Sequence, residues 1–214
     1  AAALVTGSGM GAITTTVLAV VQAGDHIVAQ RNHYMGTTKL VTEILPRFGV
    51  TTTIVDQTDV AAFAAAIRPE TKLILTETPA NPTLQSTALR AIADLAQPRN
   101  ILTFCDNTFA SPYNQRPLEH GIDLVMHSAT KYLGGHHDLS AGAVAGSHAL
   151  LEKIWNAHMI VGAVLGPIDA WLLLRGLRTF VVRVKQQNQT ALTIAQFLES
   201  QPAIEQVYYP GLDS

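Results

Sequence analysis

The sequence predicts an α/β fold, with a mostly parallel sheet covered by helices on both faces. Three observations lead there. Short apolar or β-branched runs alternate with helical stretches from Gly9 to Gly146, as in successive strand–helix–strand units. Several of those runs are apolar or β-branched at nearly every position, which suits strands buried on both sides. Nearly half of the 214 residues, 48%, are apolar and only 14% are charged, so a large core can be buried.

The elements follow in order. Met10, Ile13, Val17, Val20 and Val21 recur at three- and four-residue steps, predicting a helix over Gly9 to Ala23 that ends at Gly24-Asp25. His26 to Gln30 is a short strand. Thr37 to Leu45 is an amphipathic helix stopped by Pro46. Val50 to Val55 is β-branched throughout and reads as a strand. Asp59 caps a helix from Val60 to Ile67. Lys72 to Thr76, Ile101 to Cys105, Asp123 to His127 and Ala141 to Gly146 are strands, with a helix over Leu89 to Ala96. After Ser147 helices succeed one another: His148 to Met159, Pro167 to Leu174 and Phe180 to Ser200. The last has an apolar face of Val181, Val184, Leu192, Ala195 and Leu198, and Ile204 to Tyr208 starts a new strand. A domain boundary is expected near Thr179. Residues 1–178 then form one domain, and 179–214 form a linking helix and the start of a smaller C-terminal domain.

Composition excludes several classes. The formal charge is −2 and no basic run occurs, which argues against nucleic acid as a partner. No apolar run approaches the roughly 20 residues of a membrane span. The single cysteine, Cys105, offers no disulfide framework and fits a reducing cytoplasm. There is no initiating Met and no signal-like leader, and the sequence reads as a segment of a longer protein.

Ligands of such sheets sit at the carboxyl ends of the strands. Lys131 stands there, just past the strand ending at His127, and Ser128 and Thr130 precede it. A lysine so placed is either a surface side chain or an amine able to condense with a carbonyl as a Schiff base. Two hydroxyls that could hold a phosphate beside it favour the second reading. A carbonyl and a phosphate on one small molecule suggest pyridoxal 5′-phosphate (PLP). Asp106 directly follows the preceding strand; it is either a turn cap or the partner of a pyridinium nitrogen. If those two strands are parallel neighbours, Asp106 and Lys131 share one edge of the sheet. Gly7-Ser8-Gly9-Met10-Gly11-Ala12 opens the first helix and suits an anion. It also fits the loose G-x-G-x-x-A dinucleotide pattern, which makes a nicotinamide-binding domain the alternative from another class. The second strand ends at Gln30-Arg31, however, without the acid a ribose requires. Tyr34 is either an ordinary half-buried tyrosine or a ring that stacks on a planar cofactor. Asn81, between Pro79 and Pro82, either forms a plain turn or donates to a ring oxygen. His136-His137-Asp138 reads as loop polarity, so no metal site is expected. Arg175 and Arg178 suit a helix C-terminus.

Ser8-Gly9-Met10, Glu77 to Pro82, Asp106 to Phe109, His127 to His136 and Leu174 to Thr179 together resemble the Cys/Met-metabolism (trans-sulfuration) family of PLP enzymes. That family includes cystathionine γ-synthases, cystathionine lyases, methionine γ-lyases and homoserine-ester sulfhydrylases. The resemblance spans the whole sequence. It implies the aspartate-aminotransferase type of fold (PLP fold type I) with a seven-stranded sheet, and homotetramers built from active dimers. It also implies that Lys131 is the Schiff-base lysine, Asp106 the partner of the ring nitrogen and Tyr34 the stacking ring. Ser8, Gly9, Met10, Ser128 and Thr130 are implied to bind the phosphate, and Asn81 to sit near the phenolic oxygen. Two family features lie outside the sequence: a Tyr/Arg pair that reaches the neighbouring subunit's phosphate, and the arginine that grips the substrate carboxylate. This segment alone is therefore expected to be inactive.

Within the family the residues divide. Methionine γ-lyases carry a cysteine two residues after the stacking tyrosine, where this sequence has Gly36, and a Lys-Asp pair where it has His158-Met159. Ser8 to Thr14 and Gly162 to Leu165 look like those lyases, whereas Arg183 to Leu192 and Tyr208 to Leu212 look like plant-type cystathionine γ-synthases. The expected activity is γ-replacement on an O-acylated or O-phosphorylated homoserine, with γ-lyase or sulfhydrylase activity as the alternatives and a silent homologue as a third case. The motif residues serve synthases and lyases alike, so the γ-substituent and the thiol stay open.

Overall fold

A computed structural model describes residues 1–212. Seven strands form one sheet in the order β1-β7-β6-β5-β4-β2-β3. They are β1 (Ala2–Thr6), β2 (His26–Gln30), β3 (Thr51–Val55), β4 (Thr71–Glu77), β5 (Leu102–Asp106), β6 (Leu124–Ser128) and β7 (Gly142–Gly146). The pairs β2–β3, β2–β4, β4–β5 and β5–β6 are parallel, and β7 runs antiparallel between β6 and β1. The sheet is thus mostly parallel, as expected.

Side-chain alternation divides the core between the two faces. Ile27 and Ala29 of β2, Leu73 and Leu75 of β4, Phe104 of β5 and Met126 of β6 pack on one face, with Ile13 and Val17 of α1 (Gly9–Val20) and Ile154 of α6 (His148–Val161). Val28 and Ile74 point the other way, onto Phe63 of α3 (Val60–Ala66) and Ile92 of α4 (Leu89–Ala96). Burial on both faces explains the unbroken apolar runs. Asp59 caps α3 as predicted, accepting the Ala62 N–H at 3.1 Å.

The structure differs from the sequence reading at several places. β1 was not anticipated: Ala2–Thr6 is a short edge strand in which only Leu4 and Thr6 are buried, and its pairing with the distant β7 makes it a strand. The second helix begins earlier, as α2 (Met35–Lys39), and passes through a π-turn over Leu40–Ile44. It does not stop at Pro46, because it tightens into a 3₁₀ turn over Leu45–Phe48, whose first residues need no N–H donor. Gly49, at φ 75°, ends it. The helix begun at Gly9 ends at Val20 rather than Ala23, where Val21 turns extended.

A single turn, α5 (Ser111–Asn114), follows β5, and the helices α7 (Pro167–Leu177) and α8 (Phe180–Glu199) follow α6. On α8, Val184 and Ala195 are buried but Val181 is 56% exposed, so the expected apolar face is covered only in part. Ile204 to Tyr208 is not a strand: it has no ladder partner among the described residues, and an unpaired strand has nothing to satisfy its backbone. Among the described residues no helix is long and apolar enough to cross a membrane.

Candidate active site

Three neighbouring strands end their α1-side row of side chains on a polar group. Leu73 and Leu75 lead to Glu77, Phe104 leads to Asp106, and Leu124 and Met126 lead to Ser128. The register aligns Glu77 with Asp106 and Asp106 with Met126. The apolar core of this face therefore opens, at the carboxyl ends of parallel strands, into a cavity of about 580 Å³ that these polar groups enter.

All nine residues singled out in the sequence line this cavity: Ser8, Gly9, Met10, Tyr34, Asn81, Asp106, Ser128, Thr130 and Lys131. Lys131 follows β6 in a tight turn, its N–H donating to the Ser128 carbonyl at 3.0 Å, with Gly135 N–H returning to the Lys131 carbonyl at 2.7 Å. Asp106 is buried, and one of its oxygens accepts the Thr108 N–H at 2.9 Å. Burial pushes its pKa above the ordinary carboxylate value, while the bonds from Thr108 pull it back. Thr108 in turn accepts the Ser128 N–H at 2.7 Å, linking the ends of β5 and β6.

Ser8 is the N-cap of α1, its Oγ accepting the Gly11 N–H at 2.9 Å. A Cβ at Gly9 would come within 2.8 Å of the Ser128 Cβ, so only glycine lets the helix start approach the end of β6 this closely. Tyr34 is 55% exposed and precedes α2, with its ring on the cavity wall. Thr130 Oγ1 donates to the Ala141 carbonyl at 3.1 Å and accepts its N–H at 3.0 Å, so this hydroxyl must turn to address an anion.

Sequence reasoning passed over three residues here. Glu77 is buried beside Asp106; burial first, and then the Asp106 charge, push its carboxyl up to about 7. The signal that selected Asp106, an acid directly after an apolar strand, was present for Glu77 too. Thr108 had no such signal. Arg183 on α8 donates to the carbonyls of Tyr132 at 2.9 Å, Leu133 at 3.4 Å and Gly176 at 2.9 Å, fixing the turn behind Lys131. Nothing in the sequence near Arg183 points to that contact.

His137 and Gln187 also line the cavity, whereas His127, His136 and Asp138 lie apart from it. His127 alternates away from Met126 and Ser128, and burial lowers its pKa to about 4. His136 Nδ1 lies 2.9 Å from the Gly134 carbonyl oxygen, and Asp138 pairs with Arg175 at 3.2 Å. Among the described residues no group of three His, Cys, Asp or Glu could hold a metal. At the end of β2, where a dinucleotide site needs an acid, Gln30 is buried and donates to the carbonyls of Asn32 and Glu77.

The arrangement suits PLP chemically. Asp106 is a buried acid that forms no salt bridge among the described residues, a group a cationic ring N–H would satisfy. The first amides of α1 lie on the same wall and suit a phosphate, and the exposed Lys131 can meet an aldehyde there.

The profile of the family described as "Cys/Met metabolism PLP-dependent enzyme" matches residues 1–214. The chain is 48% identical over 206 residues to cystathionine beta-lyase MetC of Bacillus subtilis, covering 96% of this chain and 53% of that protein. It is 43% identical over 212 residues to cystathionine gamma-synthase 1, chloroplastic, of Arabidopsis thaliana, covering 99% and 38%. A solved cystathionine gamma-lyase from Lactobacillus plantarum, complexed with L-serine, superposes with a TM-score of 0.95 at 45% identity, covering all of this chain and 56% of that one. The chain spans about half the length of the curated relatives it matches. Matched from end to end, and folded as a type I sheet whose edge gathers a lysine and an acid into one cavity, the chain belongs to the Cys/Met metabolism family of PLP-dependent enzymes.

Proposed function

We propose that the full-length protein catalyses γ-replacement on an O-acylated or O-phosphorylated homoserine, in the manner of a cystathionine γ-synthase. The observation that carries the PLP chemistry of this reading is the opening of Lys131 and Asp106, from the ends of adjacent parallel strands, into a single cavity; the choice of replacement rests on Arg183 to Leu192 and Tyr208 to Leu212, which resemble plant-type cystathionine γ-synthases. When bound, PLP supplies an aldehyde that takes up an amine and a cationic ring that draws electrons from the substrate's α-carbon.

The chain's own residues do the rest. Asp106 would hold the proton on the ring nitrogen. Tyr34 would stack on the ring, and Asn81 would donate to the phenolic oxygen. Ser8, Ser128, Thr130 and the amides of Gly9 and Met10 would hold the phosphate. Lys131 removes the proton at the substrate's α-carbon and then handles the proton at the β-carbon, so that the γ-substituent can leave and a thiol can add. Residues 1–178 form the cofactor domain, and the helix from Phe180 leads into a second domain.

A second reading, elimination by a lyase, is favoured by the 48% identity to a cystathionine β-lyase. A γ-lyase would share every step up to the thiol addition, whereas a β-lyase would share only the removal of the α-proton and would then expel the β-substituent. The assembly we propose is a homotetramer of active dimers, supported by the apolar surface of α6 and α7, where Trp155, Ile160, Ile168 and Trp171 are at least half exposed. A cytoplasmic location is supported by Cys105, which is free and buried.

The test uses the full-length protein. O-succinyl-, O-acetyl- and O-phosphohomoserine are offered with cysteine or sulfide, and cystathionine and methionine are offered alone. Cystathionine formed from a homoserine ester supports replacement. Keto acid and ammonia from cystathionine or methionine, without replacement product, support the lyase reading. The cofactor's absorbance in the near ultraviolet and visible should be lost or shifted in Lys131→Ala; an unchanged spectrum would reject the role of Lys131.

A further inference from the structure

Glu77 stands out as a buried acid on the cavity wall that the proposed chemistry does not use. It closes β4 after Leu73 and Leu75, where one more apolar residue would continue the core. It is only 6% exposed and forms no salt bridge among the described residues. A carboxyl in that position is unfavourable unless its oxygens are satisfied.

They are satisfied by two backbone N–H groups, and both belong to cavity residues. One oxygen accepts the Tyr34 N–H at 2.6 Å, and the other faces the Asn81 N–H at 3.4 Å. Tyr34 lies on the loop after β2, and Asn81 on the loop after β4. Glu77 itself is held firmly. Its N–H donates to Gln30 Oε1 at 2.8 Å, and Gln30 Nε2 donates back to its carbonyl at 2.8 Å. Thr87 adds a bond to the same Gln30 oxygen at 3.2 Å. Gln30 is therefore a fixed mount, and the Glu77 carboxylate is the arm that reaches from it to two separate loops.

We propose that Glu77 is a positioning residue of the cofactor site, its carboxylate clamping the backbone at Tyr34 and Asn81 so that the aromatic ring and the side-chain amide address the same bound ring. The inference rests on the PLP reading above. The side chain suits the task in two respects. Two acceptor oxygens are needed for two donors, and a glutamine would turn an NH₂ toward one of them. An aspartate is one methylene shorter and cannot span both loops from the same backbone. The register with Asp106 places this second acid next to the one proposed to face the ring nitrogen, so a cationic ring would stabilise both. Burial first, and then the Asp106 charge, raise the Glu77 carboxyl to about 7, and a cationic ring would oppose that rise.

The experiment compares full-length wild type, Glu77→Gln and Glu77→Asp. Amide hydrogen exchange is followed in the cofactor-free proteins over peptides containing residues 34 and 81. PLP affinity and the visible circular dichroism of the bound cofactor are measured separately. Glu77→Gln is expected to speed exchange at both segments and leave the strands β4 and β5 protected. It should weaken PLP binding about tenfold, the loss expected for one charge-assisted hydrogen bond. The dichroism should change with it, because the ring is held less firmly. Glu77→Asp should fall on the same side of wild type.

Exchange at both segments unchanged, or affinity and dichroism within about twofold of wild type, would overturn the assignment while leaving the cofactor reading intact. If Glu77→Gln does not fold, Glu77→Asp decides by the same criteria. Wild-type protein that binds no PLP at all would instead overturn the cofactor reading, and the exchange data would still report whether the clamp exists.

Discussion

Gly9 and Ser128 meet where the start of α1 touches the end of β6. A Cβ on Gly9 would fall 2.8 Å from the Ser128 Cβ and Oγ and 3.2 Å from its Cα. The last of these is backbone, so no rotamer relieves the clash, and the helix start must move away from the strand. Gly9→Ala is expected to weaken PLP binding about tenfold or more, read by absorbance titration of the full-length protein. It should cost about 1–3 kcal/mol of stability, read by urea denaturation. Wild-type affinity in this variant would show that the helix start and the strand end need not touch for the cofactor to bind.

Arg183 reaches from α8 to three carbonyls around the turn that carries Lys131, and it packs against Gly135, where any Cβ would collide with the guanidinium. A lysine cannot reproduce a planar fork. Arg183→Lys is expected to lose about 1–3 kcal/mol and to speed amide exchange over residues 131–135. The turnover rate should fall with KM changed less than about threefold, because the displaced group is Lys131 rather than a substrate contact. An equal rise in KM with an unchanged turnover rate would contradict this.

Gly36 sits under the proposed stacking ring. A Cβ there would lie 2.8 Å from Met10 Sδ and 2.9 Å from Tyr34 Cε1. Both are outer atoms of flexible side chains, so they can shift. Gly36→Ala should change stability by less than about 1 kcal/mol yet weaken PLP binding several-fold. Fluorescence of the bound cofactor would report the displaced ring, and unchanged fluorescence and affinity together would argue that Tyr34 does not cover it.

Two buried groups titrate in opposite senses. Burial lowers His33 to about 4 from 6.5, with bonds to backbone carbonyls opposing it. The folded state thus binds this proton less readily than the unfolded chain, so His33 stabilises above pH 6.5 and that stability is lost as pH falls toward 4. Glu77 is raised from 4.5 to about 7, first by burial and then by Asp106. Its contribution is fully present below pH 4.5 and is lost as pH rises through 7. Each effect amounts to about 3 kcal/mol at most. In cofactor-free protein, the stability of Glu77→Gln relative to wild type should therefore rise by up to about 3 kcal/mol between pH 4 and pH 8. Denaturation curves at those two pH values check this, and a difference independent of pH would show that Glu77 is not strained by its burial.

The sequence by itself determined the layout. Unbroken apolar runs such as Lys72 to Thr76 and Ile101 to Cys105 are what a strand needs when both faces are covered; with the β-branched run Val50 to Val55 and the small-residue run Ala141 to Gly146, such runs located six of the seven strands. An acid and a lysine directly after two such runs were enough to name one sheet edge, because a parallel sheet brings its strand ends together whatever the loops do. What only the tertiary structure decided depends on contacts between distant segments. β1 is a strand because β7 lies beside it; its short apolar run is partly exposed and does not by itself call for a strand. Glu77 meets Tyr34, and Arg183 meets the turn behind Lys131, across separations no local pattern encodes. Periodicity records which side of an element is buried; it does not record which loop a buried carboxylate or guanidinium will reach.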